Sequence, residues 1–391
     1  MGQRHPERAP ARWRSCALNG GLVLASLVVG VLAIEVGSWI WVEHLRPKHL
    51  TQWEFRASQP PPYHDAPYFS EEFLEESRSS IAGTVGDIVE LRDFSGRYFN
   101  VRGGFRVTTD TPQYPERRVL MFGGSTLFSQ EVPDDHTIAS YLQRLLNAEG
   151  VRWEVRNYGL PGMNSRQQTL ILHRAQLRRG DIVVYYHGVN DIYYTVFGGS
   201  REGWVQGVPA VRPVQKLSPL HRRLYALHQR FSDHSYAAEV ALDVFNRAKP
   251  STVTEAQTLA RNAEIAVEVF RESVAAAAAH ASQAGAEFVH FLQPQVFANN
   301  QLTLYESELV ANPLGTAPGV ETAFRHGYPL LQKAGEELAR QGIAYLDIAD
   351  TLDRRPAGEE VFLDFCHVNH RGNELIAERM MDVYFRGRLA H

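Results

Sequence analysis

The sequence predicts an α/β fold in which a central, mainly parallel sheet carries helices on both faces, preceded by one transmembrane helix. Short apolar runs alternate with longer amphipathic segments through residues 116–391, and a separate apolar stretch occupies residues 17–42. Strands that alternate with helices build parallel sheets covered on both sides. The formal net charge of −4 argues against general nucleic-acid binding.

The alternation assigns five strands and five helices. The predicted strands are Arg118–Phe122, Trp153–Arg156, Asp181–Tyr186, Glu287–Leu292 and Ala344–Ile348. The predicted helices are Thr137–Ala148, Arg166–Arg178, Val253–Ala284, Glu321–Gln341 and Gly372–Tyr384. Thr252 and Glu255 fit a capping box at the start of the third helix, and Gly285 fits its end.

The pattern divides the chain into four segments. Residues 1–16 form a cytoplasmic tail, 17–42 a membrane anchor, 43–115 a lead-in, and 116–391 the α/β domain with an insertion at about 192–250. Within the lead-in, SQPPPYHDAP is proline-rich and predicted to be extended, and residues 84–108 favour a small β-structure.

The apolar stretch at 17–42 has Glu35 as its single charge and is long enough to span a bilayer. Four arginines precede it, which predicts a cytoplasmic amino terminus; they are Arg4, Arg8, Arg12 and Arg14. The alternative is a cleaved signal peptide with Val31-Leu32-Ala33 as its processing site. Apolar residues continue to Val42, which favours an uncleaved anchor. Glu35 lies either near the outer interface or against a partner helix.

Ser125 stands at a turn between a strand and a helix. The apolar run RRVLMF and two glycines, Gly123 and Gly124, precede it. Glycines tolerate the backbone angles of such a turn and let a ligand approach the main chain, where free N–H groups receive an oxyanion. A Gly-Gly-Ser sequence taken alone is equally typical of an ordinary turn.

Three further blocks follow in order: NYGLPGMNS at 157–165, HGVND at 187–191 and LDFCHVNHRGN at 363–373. Together with FGGSTLFS at 122–129, they resemble the blocks of the SGNH/GDSL hydrolase family over roughly residues 115–390. The resemblance implies the flavodoxin-like α/β/α architecture of that family. It also implies a serine hydrolase that acts on carboxylic esters.

The resemblance implies a role for each matching residue. Ser125 matches the nucleophile, His367 the general base and Asp364 the carboxylate that orients it, and the oxyanion donors match Ser125, Gly159 and Asn190. One departure is visible, since Gly124 stands where the family's name expects aspartate. That aspartate is not a reacting group, so the departure counts as variation.

The chemistry itself requires these residue types. A serine hydroxyl needs a neighbouring base, and histidine titrates near neutrality. Asp364 stands three residues before His367, a separation that lets its carboxylate reach Nδ1 while Nε2 faces the serine. His370 is the competing histidine; His367 is preferred because of Asp364 and because Asn369 follows it.

Other polar residues have structural interpretations. Asp191 is predicted to hold a turn or cap a helix, and Cys366 to be a small core residue, with Cys16 as its only conceivable partner. No cluster has metal-ligand spacing and no glycine loop has the phosphate-binding pattern. We therefore expect neither a metal nor a cofactor.

Substrate contacts are expected from loops at the same sheet edge. Tyr193 and Trp204, beside Arg201 and Arg212 in the insertion, and Gln293 after the fourth strand are the candidates. Aromatic residues beside arginines suit a sugar ring or an acidic group. The basic piece LHRRLYALHQR is equally typical of a solvated helix face.

These observations predict a single-pass membrane protein with an extracytoplasmic serine esterase domain. The expected reaction is cleavage or transfer of an acyl ester through an acyl-serine intermediate, with O-acetylated cell-surface polysaccharide as the inferred substrate. The alternatives are a lipid esterase or thioesterase at the membrane, and a catalytically inactive component that binds or exports polysaccharide. The intact set of site residues argues against the last of these.

Overall fold

The computed structural model describes residues 11–41, 44, 59, 61–80, 91–197, 235–237, 240, 256–311 and 319–389. The chain divides into two compact units. One consists of Met1–His49 and Pro213–Thr252, and the other of Leu50–Arg212 and Val253–His391. The capping box predicted at Thr252 and Glu255 lies outside the described residues.

An eight-stranded sheet forms the centre of the larger unit. Its strands are β1 Phe94–Ser95, β2 Asn100–Arg102, β3 Phe105–Arg106, β4 Arg117–Gly123, β5 Trp153–Gly159, β6 Ile182–His187, β7 Glu287–Leu292 and β8 Ala344–Asp347. The spatial order is β1-β2-β3-β5-β4-β6-β7-β8. Strands β4 to β8 pair in parallel, whereas β1 to β3 are antiparallel and join the sheet where Arg106 faces Asn157.

Helices cover this sheet on both faces, which confirms the predicted fold class. They are α2 Glu71–Ser80, α3 Ser125–Phe128, α4 Ile138–Ala148, α5 Ser165–Leu172, α6 Val189–Tyr193, α7 Ala256–Gln283, α8 Leu304–Ala311, α9 Val320–Arg340, α10 His370–Met380 and α11 Arg386–Leu389. Helix α4 packs against α10, and α7 packs against α5 and α9. Strand β6 between these layers is buried along its whole length, as expected for a parallel sheet covered on both faces.

Helices α4 and α5 begin at side-chain caps that the sequence supplies. Thr137 accepts the N–H of Ser140 at the start of α4. Asn164 and Gln167 form a capping box at the start of α5. Such caps satisfy N–H groups that have no partner inside the helix.

Three element predictions differ from the structure. The segment SQPPPYHDAP was predicted to be extended, but it forms turns from residue 61, where the N–H of Ala66 donates to the carbonyl of Tyr63 at 3.1 Å. Helix α5 ends at Leu172 and does not extend to Arg178. The chain turns there because the buried pair Arg118–Asp181 binds the carbonyl of Gln176 and the N–H of Arg178. The predicted loop after β7 contains a helix, α8, which a capping box of Thr303 and Glu306 begins.

The smaller unit contains helix α1, Ala11–Ile40, whose segment Asn19–Ile40 is long and apolar enough to cross a membrane. A signal sequence has the same properties. Within this unit the Glu35 carboxylate accepts hydrogen bonds from the hydroxyl of Ser235 at 2.9 Å and from the N–H groups of Tyr236 at 2.6 Å and Ala237 at 3.2 Å. The single charge of the apolar helix therefore faces a second segment of the same chain.

Candidate active site

Ser125 lies at the carboxyl end of β4, where α3 begins, and its side chain is half-buried. The two preceding residues must be glycines because neighbouring atoms approach their α-carbons too closely to leave room for a side chain. A β-carbon on Gly123 would lie 2.9 Å from the carbonyl of Tyr186, and one on Gly124 would lie 2.5 Å from Nδ2 of Asn190. A side chain at position 124 would therefore displace the Asn190 amide from its present position.

Ser125, His367 and Asp364 form a continuous chain of hydrogen bonds. Nε2 of His367 lies 2.8 Å from the Ser125 hydroxyl, and Nδ1 lies 2.7 Å from Oδ2 of Asp364. The other carboxylate oxygen of Asp364 accepts the backbone N–H of His367 at 2.7 Å. Asp364 thereby fixes both the ring and the main chain of the residue that faces the serine.

The competing histidine belongs to a different cluster. Nδ1 of His370 lies 3.2 Å from the hydroxyl of Tyr68, and its ring centroid lies 5.6 Å from that of His136. Asn369, which favoured His367 in the sequence, caps α10 by accepting the N–H of Gly372. The structure therefore brings His367, and not His370, to Ser125.

Gly159 does not present its N–H to the site, contrary to the expectation from the sequence. That group donates to Oδ1 of Asn157 at 2.9 Å, and a β-carbon on Gly159 would lie 2.4 Å from the backbone nitrogen of Phe128. Gly159 is thus a packing glycine at the end of β5, where the strand passes close to α3. The residue has no N–H to spare for an oxyanion.

Gly162, three residues further on, was not predicted from the sequence to belong to the site. Gly162 has φ 74° in a turn that the N–H of Met163 closes on the carbonyl of Leu160 at 3.3 Å. Its own N–H has no acceptor among the described residues. The signal was the dipeptide Pro161-Gly162, which is typical of a turn with a glycine at positive φ.

Asn190 is tied to this same turn. Its Nδ2 donates to the carbonyl of Met163 at 2.9 Å. An amide nitrogen has two protons, so this bond leaves one proton for another acceptor. Ser125 begins α3, and its N–H likewise has no acceptor among the described residues. Three donors, on Ser125, Gly162 and Asn190, are therefore present around the serine turn.

The charges around His367 favour its protonated ring. Burial opposes the charged imidazolium, but the charge and hydrogen bond of Asp364, with further contributions from Cys366 and then Glu131, raise the pKa of His367 well above its usual value. Burial raises the pKa of the Cys366 thiol to about 11, so this neighbour is neutral near pH 7. Burial also raises the pKa of Asp191 to about 6, while its hydrogen bonds from Ser165 act in the opposite direction.

The remaining predicted contact residues separate into three groups. Tyr193 stacks on Phe365 with ring centroids 5.3 Å apart, which places it beside the turn that carries Asp364. Gln293 is buried and donates to the hydroxyl of Thr126 at 3.0 Å, so it stabilises helix α3. Trp204, Arg201, Arg212 and the basic piece of the insertion lie outside the described residues.

In the part of the chain that the structure describes, Asp364, Cys366 and His367 are the group whose ligand atoms have metal-binding spacing, within 4.8 Å of one another. All three already bond to one another, and His367 also bonds to Ser125. We assign this group to the hydrogen-bonded chain and not to a metal.

A parallel α/β sheet with a Ser–His–Asp chain at the carboxyl ends of its strands defines a serine hydrolase. The order of the blocks that carry these residues resembles that of the SGNH/GDSL hydrolases. No family model and no curated protein matches the sequence.

Solved structures similar to this chain include a lipolytic protein of the G-D-S-L family from Veillonella parvula, with 15% identity over 69% of this chain and 99% of that one and a TM-score of 0.37. A GDSL-like lipase from Bacteroides thetaiotaomicron has 9% identity, coverage of 69% and 88%, and a TM-score of 0.36. An acetylxylan esterase from Geobacillus stearothermophilus has 10% identity, coverage of 68% and 94%, and a TM-score of 0.37. Because these TM-scores lie below 0.5, the class rests on the fold and the site of this chain itself.

Proposed function

We propose that this protein is a serine esterase that hydrolyses or transfers acyl groups through an acyl-serine intermediate. The observation that carries the proposal is the continuous chain from Asp364 through His367 to Ser125, with distances of 2.7 and 2.8 Å. These are the distances at which a base removes a proton from a serine hydroxyl.

The first half-reaction acylates the serine. Ser125 Oγ attacks the ester carbonyl carbon as its proton moves to Nε2 of His367, while Asp364 holds Nδ1–H and stabilises the imidazolium. The tetrahedral intermediate collapses, the alcohol oxygen takes the proton from Nε2, and the acyl group stays on Ser125. Water, or the hydroxyl of an acceptor in a transferase, then releases the acyl group by the same steps in reverse.

The oxyanion of the intermediate requires donors near the serine. We propose the N–H groups of Ser125 and Gly162 and the free proton of the Asn190 amide for this role. Gly162 takes the place that the sequence assigned to Gly159, whose N–H is already used by Asn157. One such donor typically contributes on the order of 100- to 1000-fold to the rate.

We further propose that the catalytic domain lies outside the cytoplasm and acts on O-acetyl groups of cell-surface or exported polysaccharide. The supports are the apolar helix Asn19–Ile40 and the arginines that precede it. An extracytoplasmic esterase meets acylated glycans, and the half-buried Ser125 suits a small acyl group.

The test is a hydrolysis assay on the full-length protein in detergent. We expect Ser125 to react with a fluorophosphonate probe and para-nitrophenyl acetate to be cleaved faster than longer-chain esters. A preference for long chains would instead support a lipid esterase or thioesterase. A screen against acetylated glycans, with the Ser125→Ala variant as the blank, then identifies the acyl donor.

A further inference from the structure

Glu131 lies beside the catalytic histidine, although nothing in the sequence singled it out. It belongs to the loop between α3 and α4, and its side chain is 2% exposed. Its Oε1 lies 4.0 Å from Nε2 of His367, the nitrogen that faces Ser125. A buried acidic group so close to the proton-accepting atom of a base influences the charge on that base.

Arg106 stabilises the loop that carries Glu131. This arginine is fully buried, and it donates to the carbonyls of Phe128 and Val132, both at 2.6 Å, and to that of Ser129 at 2.5 Å. These carbonyls lie on both sides of Glu131. Arg106 therefore fixes the main chain on both sides of Glu131.

We infer that Glu131 is a positioning residue for the proposed esterase reaction, whose carboxylate stabilises the imidazolium that forms when Ser125 transfers its proton to His367. The inference rests on the proposed function. In this arrangement the charged ring stands between two carboxylates, Asp364 on the side of Nδ1 and Glu131 on the side of Nε2.

The other groups that face His367 do not replace this charge. Cys366 approaches Nδ1 at 3.5 Å, but its thiol is neutral near pH 7 because burial raises its pKa to about 11. Ser125 is neutral in the resting site. Near pH 7 the negative charges beside His367 are therefore those of Asp364, in its own turn, and of Glu131, across the site on the α3–α4 loop, since the thiol of Cys366 adds a charge only at higher pH.

A carboxylate near Nε2 has two measurable effects. It favours the protonated ring, so it raises the pH above which His367 is free to act as a base. It also lowers the energy of the transition state, in which the ring becomes positive. Removal of the charge should separate these effects, because the base becomes available at lower pH while each turnover becomes slower.

The experiment compares Glu131→Gln, which keeps the shape without the charge, with Glu131→Asp, which keeps the charge. Asp135→Asn is the matched control, because Asp135 lies in the same loop but is largely exposed. Each full-length variant is measured for kcat/KM against pH with para-nitrophenyl acetate. The titration of the His367 ring is followed by NMR of histidine-labelled protein, with His367→Ala used to assign its signal.

For Glu131→Gln we expect His367 to titrate at lower pH than in the wild type and the acid limb of kcat/KM to move with it. The plateau should fall roughly tenfold, less than the 100- to 10,000-fold that a general base contributes, because His367 remains. Glu131→Asp should restore most of the plateau, and Asp135→Asn should match the wild type. An unchanged ring titration in a folded Glu131→Gln would overturn the inference.

The two proposals fail in distinguishable ways. If the wild type cleaves no ester and does not react with the probe, the proposed function is wrong, whatever the ring titration shows. If the wild type is active and Glu131→Gln merely lowers the melting temperature without moving the titration or the acid limb, Glu131 is structural. The esterase assignment then stands without it.

Discussion

Arg106 and Asp134 form a buried ion pair, with Nε of the arginine 2.9 Å from Oδ1 of the aspartate and their side chains 0% and 9% exposed. The arginine comes from strand β3 in the lead-in, and the aspartate lies in the loop between α3 and α4. The lead-in, for which the sequence indicated no role, is therefore bonded to the loop that carries Glu131.

Arg106→Met should destabilise the larger unit by about 3–5 kcal/mol, since it leaves a buried carboxylate and three carbonyls without their partner. Urea unfolding followed by fluorescence measures this loss. Arg152→Met is the matched control, because the pair of Arg152 with Glu116 is largely exposed and should contribute less than about 1 kcal/mol. Equal stability of the two variants would contradict the interpretation that the buried hydrogen bonds and ion pair of Arg106 stabilise the fold.

The acid limb of kcat/KM should lie above the pH at which an ordinary histidine titrates. Asp364 raises the pKa of His367 despite its burial, so the ring becomes available as a base only as the pH rises through that raised value. A pH profile of para-nitrophenyl acetate hydrolysis measures the limb.

Asp364→Asn tests the orientation of the same ring. We expect a rate loss on the order of 10,000-fold, because the amide favours the wrong tautomer. His370→Ala is the control, since His370 bonds to Tyr68 and not to Ser125. Full activity in His367→Ala together with a loss in His370→Ala would assign the base to the other histidine.

Asn190→Ala should lower kcat by about 100- to 1000-fold while Ser125 still reacts slowly with a fluorophosphonate, because one oxyanion donor is lost and the nucleophile is kept. Ser125→Ala should abolish both turnover and labelling. The double variant should be little slower than Ser125→Ala, since the groups act together. A folded protein that the probe does not label, and whose cellular phenotype survives Ser125→Ala, would instead be a binding module.

Stability should fall as the pH is lowered because of two histidines inside the sheet. His187 and His290 are fully buried, and burial lowers the pKa of His187 to about 3 and that of His290 well below its usual value. Below about pH 6.5 the unfolded chain binds protons that the folded chain does not, so the free energy of unfolding decreases from there toward pH 3.

Urea unfolding at a series of pH values measures this slope. His187→Phe combined with His290→Phe should reduce it, whereas the exposed His326→Gln should leave it unchanged. A slope that persists undiminished in a folded double variant would assign the acid sensitivity to other groups.

The anchor predicts that a reporter active only outside the cytoplasm works when it is fused after residue 60. The mature protein should retain Met1–Ala33, as mass spectrometry of the membrane fraction would show. A soluble form that begins at Ile34 would establish the signal-peptide alternative. Fusion of the same reporter at the amino terminus is the control and should give no activity.

The alternation of apolar runs was sufficient to predict the five parallel strands, β4 to β8, because buried parallel strands leave a strong signal. The attachment of β1 to β3 to the same sheet was not predicted. Strand β7 was predicted with its observed bounds, Glu287–Leu292. The predicted end of α5 was wrong because a distant pair, Arg118–Asp181, binds the main chain there, and a local pattern contains no information about it.

The prediction of the site succeeded where the residues involved are close in the sequence. It failed where their roles depend on the packing of distant segments. The spacing of Asp364 and His367 indicated their hydrogen bond because both lie in one turn. Gly159 was chosen for the oxyanion although its N–H is used by Asn157, and only the approach of α3 to β5 reveals this. Glu131 belongs to no recognisable sequence motif. It lies beside His367 only because the folded chain brings the α3–α4 loop close to the turn that carries His367.

The hydrogen bonds of Arg106 also determine the shortest useful fragment of this protein. A fragment that starts at residue 116, where the alternation of strands and helices begins, would lack the guanidinium that binds the carbonyls of residues 128, 129 and 132. Without these hydrogen bonds the loop would no longer be held in place, and the carboxylate of Glu131 would move away from His367. Expression and crystallisation should therefore start upstream of the antiparallel strands, since an apparently complete hydrolase domain would otherwise be purified with a misplaced acidic group in its site.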